Sequence, residues 1–516
     1  MTAKNSVSKP ATGTASPPAE VDVLIVGAGV SGISAACHLQ QMHPQRTFAL
    51  LEARNATGGT WDQFRYPGIR SDSDLQTFGY RFKPWTGNKS LAPGADILGY
   101  IREAADEHGL ADHTWTSHRV DAADWSSEDL RWHVTVTNTE TDTTFTVKAT
   151  WLSTAAGFFS QDSAYIPDFP GRDDFKGTFL HPQFWPEDLD VRGKKVVVIG
   201  SGATAATLVP AIADDVEHVT MLQRSPGYIL PFPDVDPIAN GLRKAFGAKA
   251  GHAIARWKNI QLYVGMYRIS QRYPGLARKF IRKLQESYLG ADFDYDTHLT
   301  PRYNPWDQRM CLVPNGDFLK SVGAGKASIV TGHIDRITEK GILLKSGEEL
   351  EADIIVSATG FDIQPFGNIR ISVDGDAKPF GERISFRGMM LSDVPNFSYV
   401  IGYTTNSWTL KSDLVAEHVC RILTMLDEAG AVACVPRPPA DMETEQFSPH
   451  FRPGYIERNV HLFPKQGDRA PWRSPVVYDE DVREMKYKPV VSRDLELLYR
   501  ANALALGVDD KAEVSA

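Results

Sequence analysis

At 516 residues, with 42% hydrophobic and 23% charged positions, the chain has an ordinary globular composition that excludes disorder, collagen and coiled coil as whole-chain readings. A formal charge of −9, from 55 Lys and Arg against 64 Asp and Glu, excludes a general nucleic-acid binder, which needs a basic excess. Length alone predicts about three domains of roughly 150 residues each.

The segment 1–20 is small, polar and Pro-containing, without the apolar middle of a signal peptide, and reads as a disordered lead. Val21 to Val26 is a β-branched strand run that ends in Gly27-Ala-Gly29-Val-Ser-Gly32 and a helical stretch. In such a turn the first glycine permits the bend and the second lets the backbone approach a pyrophosphate. The third lets the helix pack on the strand, and the helix N-terminus faces the phosphates. The next strand, Thr47 to Glu52, ends in a carboxylate at the distance past Gly32 where a dinucleotide fingerprint has its acidic residue. A carboxylate there accepts both ribose hydroxyls and repels a 2′-phosphate. Alternating runs around Trp132 and Thr144 then predict a β-meander excursion.

Val196 to Ala213 carries no charge, but Gly200, Ser201, Gly202, Thr204, Thr207 and Pro210 mark it as strand, turn and helix rather than a membrane span. The strand Lys195 to Ile199 leads into Gly200-Ser-Gly202-Ala-Thr-Ala205, a second glycine turn that repeats the first. Its matching strand, His218 to Gln223, ends in a neutral side chain, and Arg224 and Ser225 follow. Exchanging a carboxylate for a guanidinium and a hydroxyl is what recognition of a 2′-phosphate requires. The first site therefore reads as FAD and the second as NADPH rather than NADH.

From 239 to about 289 the pattern turns helical. Within it, 241–285 holds 11 Lys or Arg and no Asp or Glu, interleaved with Phe246, Trp257, Tyr263, Tyr267 and Phe280. Without that stretch the balance is 44 basic against 64 acidic residues. We read it as the solvated basic face of a helical hairpin, whose field attracts NADPH. The alternative is peripheral contact with an anionic membrane surface. A third strand run, Ala352 to Ser357, leads into Ala358-Thr-Gly360, and one amphipathic helix, Lys411 to Asp427, precedes a Pro-rich tail. Cys37, Cys311, Cys420 and Cys434 form no C-x-x-C pair or metal-ligand cluster. No metal site is expected, disulfide reductases are excluded, and reduced thiols fit a cytoplasmic location. The expected fold class is α/β with two Rossmann-like dinucleotide-binding domains. An FAD domain (21–170 and 340–505) is split around an NADPH domain (171–339) that carries the helical insertion, with 506–516 as a tail.

Two longer motifs carry a family resemblance. Phe175-Lys-Gly177-Thr-Phe-Leu-His181-Pro-Gln-Phe-Trp185-Pro186 resembles the linker fingerprint of type I Baeyer–Villiger monooxygenases. Gly58-Gly59-Thr-Trp61, continuing through Tyr66-Pro67-Gly68 to Asp72, resembles a second signature of that family, and 301–316 is similar to the subgroup acting on open-chain ketones. The resemblance implies that NADPH reduces FAD and that a C4a-peroxyflavin inserts one atom of O₂ beside a ketone carbonyl. The product is an ester or lactone, the substrate a small apolar ketone, and sulfoxidation is an accompanying activity in some members. It implies that Arg309 stabilises the peroxyanion and the adduct, and that Asp72 orients this arginine. Gly59, Trp61, Asp72 and Val120 would contact FAD, and Thr204 NADPH. His181, with Phe175, Gly177 and Trp185, is expected to pack and to transmit domain orientation rather than act as a base. Family members carry Lys before the catalytic arginine, whereas this chain has Gln308, which leaves Arg224 as the main determinant for NADPH. An N- or S-oxygenating flavin monooxygenase and a flavin redox carrier remain alternatives. The segments Asn406-Ser-Trp408 and Pro471-Trp472-Arg473 read either as loops closing over the site or as tail packing.

Overall fold

The computed structural model describes residues 16–308, 310–447 and 454–500. Arg309, most of the expected lead and the 506–516 tail lie outside the described residues.

The first sheet grows from β1 (Glu20–Val26), which feeds helix α1 (Val30–Met42) and then β2 (Phe48–Leu51) and β3 (Thr114–Trp115). These strands are parallel, with Val26 opposite Leu51, and all four residues of β2 are buried, as expected of strands covered on both faces. Next come β4 (His118–Ser126), β5 (Arg131–Asn138) and β6 (Thr143–Thr154), which form the expected antiparallel meander. Along β5 Trp132, Val134 and Val136 alternate inward, the period that a one-face-buried strand requires. β6 spans both arrangements: its first half pairs with β5, and Lys148 to Thr154 pairs in parallel with β1.

The second sheet is wholly parallel. Its strands are β7 (Thr178–Leu180), β8 (Lys195–Ile199), β9 (His218–Gln223), β12 (Ala327–Thr331) and β13 (Ile354–Ser357), in the order β12, β9, β8, β13, β7. Helix α2 (Ala203–Ile212) follows β8, while β10 (Tyr228–Phe232) and β11 (Met310–Pro314) pair separately. Between them lie α3 (Pro237–Arg272), kinked at Gly247, and α4 (Pro274–Leu289). Pro274 stands at the first position of α4, where its missing N–H costs nothing but where α3 cannot continue through it.

The expected domain boundary at 340 requires correction. An antiparallel ribbon (334–351) feeds β13, and β13 is an inner strand of the second sheet, flanked by β8 and β7. The chain re-enters the first sheet at Arg370–Val373, beside β4, and at Phe397–Tyr399, beside β6. A fully buried run such as Ile354–Ser357 signals an inner parallel strand but carries no information about which sheet receives it. Helix α5 (Trp408–Ala429) then packs along α1.

Candidate functional site

The two glycine turns have the same construction. Gly27 N–H donates to the Leu51 carbonyl at 2.7 Å, and Gly200 N–H to the Leu222 carbonyl at 2.8 Å. Both glycines have positive φ, 99° and 136°, and a side chain on either would strike a carbonyl, that of Ala155 or Ala358. Those carbonyls belong to Ala155-Ala-Gly157 after β6 and Ala358-Thr-Gly360 after β13, so the two units match in their third loop as well. Gly32 stands where a Cβ would lie 1.8 Å from the Gly27 oxygen, which explains the third glycine as a helix-to-turn contact. Gly29 caps α1 and Gly202 caps α2 with no side-chain hydrogen bond at either, which leaves the first N–H groups of both helices for another acceptor.

Both turns open into one cavity of about 1430 Å³. Gly27, Gly29, Glu52, Gly59, Trp61, Asp72 and Val120 line it from the first sheet. Gly200, Gly202, Thr204, Arg224 and Ser225 line it from the second. Gly32 lies behind the turn. Gln308 and Cys311, on either side of position 309, also line the cavity.

Glu52 is buried, and its oxygens accept from Ala28 N–H at 2.7 Å and Arg54 N–H at 3.0 Å. Burial pushes its pKa above the usual carboxylate value, against the pull of these two amides. Gln223, the same position in the second unit, is turned into the protein: its amide donates to the His298 carbonyl at 2.8 Å and to Thr331 Oγ1 at 2.9 Å. Arg224 beside it is exposed and joins no ion pair among the described residues, so its guanidinium is available at the rim. Ser225 is fixed by its carbonyl, which accepts from Ser201 Oγ at 3.1 Å.

The Gly58–Asp72 signature ties the two units together. Gly58 N–H donates to the Ala28 carbonyl at 2.9 Å, which brings the Gly59 backbone against Gly29. Tyr66 is buried in the apolar cluster of the second unit, Gly68 packs on Ala211 and Thr207 of α2, and Arg70 pairs with Asp317. Asp62, which sequence reasoning passed over, accepts from Arg54 at 2.7 Å, Arg65 at 3.1 Å and Arg102 at 2.7 Å. This carboxylate holds Arg54 beside Glu52.

His181 has both nitrogens engaged. Gln183 N–H donates to Nδ1 at 3.2 Å, so the proton sits on Nε2 and is shared with the Gly360 carbonyl at 3.1 Å. Burial lowers its pKa, and its two contacts tie the ring to the Gly360 turn and to Gln183. Gly177 immediately precedes β7, beside the Asp353 carbonyl that accepts from Thr178 N–H at 2.9 Å. Phe175 and Trp185 pack into the apolar clusters on either face of the second sheet and stay off the cavity wall.

Where the two third loops meet, the wall is aromatic. Phe159 and Phe361 stack with ring centroids 4.7 Å apart, Phe64 stacks on both, and Phe158 stacks on Trp408 at 5.5 Å. Of the two late segments, Asn406 and Trp408 line the cavity, with the Trp408 indole N–H donating to Ser31 Oγ at 2.9 Å. Trp472 is core, its indole N–H bonded to Asp494 at 3.1 Å. The four cysteines are buried outside any disulfide, and no cluster of three or more metal-ligating side chains occurs among the described residues.

Residues 25–85 match the family described as NAD(P)-binding Rossmann-like domain, and residues 90–233 the family described as flavin-binding monooxygenase-like. The chain is 48% identical over 475 residues to the FAD-containing monooxygenase EthA of Mycolicibacterium smegmatis, covering 92% of this chain and 96% of that protein. Among solved structures, an oxidised steroid monooxygenase bound to NADP matches 93% of this chain and all of its own at 24% identity, with a TM-score of 0.72. An ε-caprolactone-bound cyclohexanone monooxygenase matches 93% of this chain and 99% of its own at 21% identity, with a TM-score of 0.70. At those identities the structural matches establish a shared fold.

Proposed function

Because the chain belongs to the flavin-binding monooxygenase family, we propose that it is an FAD- and NADPH-dependent Baeyer–Villiger monooxygenase acting on small apolar, open-chain ketones. The overall change is ketone plus O₂, NADPH and a proton to ester, NADP⁺ and water. The observation that carries this reading is the single cavity that joins both glycine turns to an aromatic wall.

The residues fit both cofactors. The uncapped N-terminus of α1 and the buried Glu52 carboxylate suit the pyrophosphate and ribose of FAD. The uncapped N-terminus of α2, with Thr204, Ser225 and the exposed Arg224, suits NADPH and its 2′-phosphate. FAD, once bound and reduced, supplies the activation of O₂. The protein's own tasks are to exclude water and to stabilise negative charge at the ketone oxygen. Phe64, Phe159 and Phe361 do the first, by walling the cavity with stacked rings. Arg309, assigned by the family resemblance, does the second, because a guanidinium stays charged in an apolar site. Asp72, on the cavity wall, orients it. The ε-caprolactone held by the cyclohexanone monooxygenase supports the assignment, since a lactone is the product of this reaction on a cyclic ketone.

Arg309→Ala tests the mechanism. Ester formation from a medium-chain 2-ketone, followed by product mass, is expected to vanish while NADPH oxidation continues. Ester formed at near wild-type rate would refute the arginine's role. Wild-type enzyme that oxygenates thioethers or amines but no ketone in a chain-length panel would replace the reading with heteroatom oxygenation.

A further inference from the structure

The helices α3 and α4 leave an apolar face in water. Of the fifteen large hydrophobic side chains that are exposed among the described residues, nine fall between Ile238 and Phe280. Trp257 is 65% exposed, Leu276 63%, Ile269 61% and Phe280 60%, values more typical of lysine than of core residues. Along α3, Ile254, Trp257, Leu262 and Ile269 share an arc of roughly 140° at 3.6 residues per turn. The buried positions Arg256, Asn259, Ile260 and Tyr263 lie on the opposite side of the helix. The exposed arc is therefore the outward face of a helix whose inner face is already packed. On α4, Leu276, Lys279, Phe280 and Lys283 likewise share one exposed face.

Cations are interleaved with these side chains. The stretch 241–285 has no acidic residue, and Lys244, Lys249, Lys279 and Lys283 join no ion pair among the described residues. An apolar face bearing unpaired lysines, as Lys279 and Lys283 are on α4, would repel its own copy in a two-fold dimer. It is complementary to a surface that offers hydrocarbon and negative charge together. We propose that α3 and α4 dock the protein peripherally on an anionic phospholipid bilayer, the aromatic and aliphatic side chains entering the headgroup boundary and the lysines meeting phosphate. No helix among the described residues is long and apolar enough to cross a membrane, so the contact is one of a surface. At the corner between the helices, Arg272 lies over the Tyr273 ring at 5.2 Å, and both side chains are exposed. The assignment is independent of which substrate is oxygenated.

The test is co-sedimentation of the FAD-loaded full chain with phosphatidylcholine vesicles and with mixed phosphatidylcholine and phosphatidylglycerol vesicles, at low and high salt. Two variants are compared with wild type: Trp257→Ser/Phe280→Ser, and Lys244→Gln/Lys249→Gln/Lys279→Gln/Lys283→Gln. None of these residues lines the cavity, so flavin absorbance and turnover of a water-soluble ketone are expected to hold. Wild type is expected to bind the anionic vesicles in a salt-sensitive way, and each variant at least about tenfold more weakly. No vesicle binding, equal binding to neutral vesicles, or binding unchanged in both variants overturns the proposal. Self-association that both variants abolish, without vesicle binding, would assign the face to a second copy instead. None of these outcomes touches the ketone assay, so the two readings fail separately.

Discussion

Glu52 and Gln223 occupy the same place in two like units, one residue past the strand position opposite the start of the glycine turn. Their surroundings set them different tasks. Glu52 is held by two backbone amides with its carboxylate on the cavity wall, whereas Gln223 is consumed by internal hydrogen bonds. In the function proposed above, discrimination at the second site passes to the next residue, Arg224, which stands exposed at the rim. Gln308, on the same cavity wall, adds no charge there. A guanidinium–phosphate contact is worth about 1.5–3 kcal/mol. Arg224→Ala is therefore expected to raise the KM for NADPH by more than about tenfold and to leave NADH nearly unchanged. Steady-state kinetics with both nucleotides check this, and an equal loss with both would remove Arg224 from the 2′-phosphate site.

Among the elements, α3 shows where sequence pattern stops being informative. A basic stretch without acids says nothing of what its two sides meet, and the outer side of α3 is exposed. Its inner side carries Arg256, buried, which pairs with Asp413 of α5 at 2.9 Å and donates to the carbonyls of Thr77 and Gly79 at 3.0 and 2.5 Å. Asn259 adds a bond to Asp74 at 2.7 Å. The helical insertion is thus a strut between the two sheets. Its partner lies 157 residues away, and no local pattern announces it. Both glycine turns were legible because a tight strand-to-helix turn demands a local spacing, and most of the residues expected around them line one cavity. The Ala155-Ala-Gly157 loop and the sheet that receives β13 were not legible, since each depends on pairing between distant segments, and the Asp62 clamp draws one of its three arginines, Arg102, from 40 residues away. Stranding one partner of a buried ion pair costs about 3–5 kcal/mol. Arg256→Met is expected to destabilise by that order, with part of the loss recovered in Arg256→Met/Asp413→Asn. Denaturant midpoints of the single and double variants measure it, and a silent Arg256→Met would mean that the pair does not brace the sheets.

For the molecule as a whole, acid stability follows from two buried histidines on the elements that join the sheets. Burial, with Arg256 adding repulsion, lowers His252 on α3 to about 4, and neither of its ring nitrogens has a hydrogen-bond partner among the described residues. Burial and the neighbouring Arg387 lower His418 on α5 to about 3. Burial moves His181 and His298 in the same direction. In each case the unfolded chain takes up a proton near pH 6.5 while the folded chain does not. Stability is therefore at its plateau above that pH and falls as pH drops towards the folded values, by about 1.4 kcal/mol per pH unit for each histidine. His252 is the one to remove, since it makes no bond whose loss would confuse the result. His252→Leu carries one proton fewer into the unfolded state. Its thermal midpoint is expected to gain on that of wild type as pH falls from about 6.5 to about 5, a window that lies above the ordinary carboxylate range. The gap should be constant above pH 7, where both forms are neutral in both states. Midpoint curves that run parallel through the whole range would show that His252 titrates normally in the folded protein and that the strut interior is open to water.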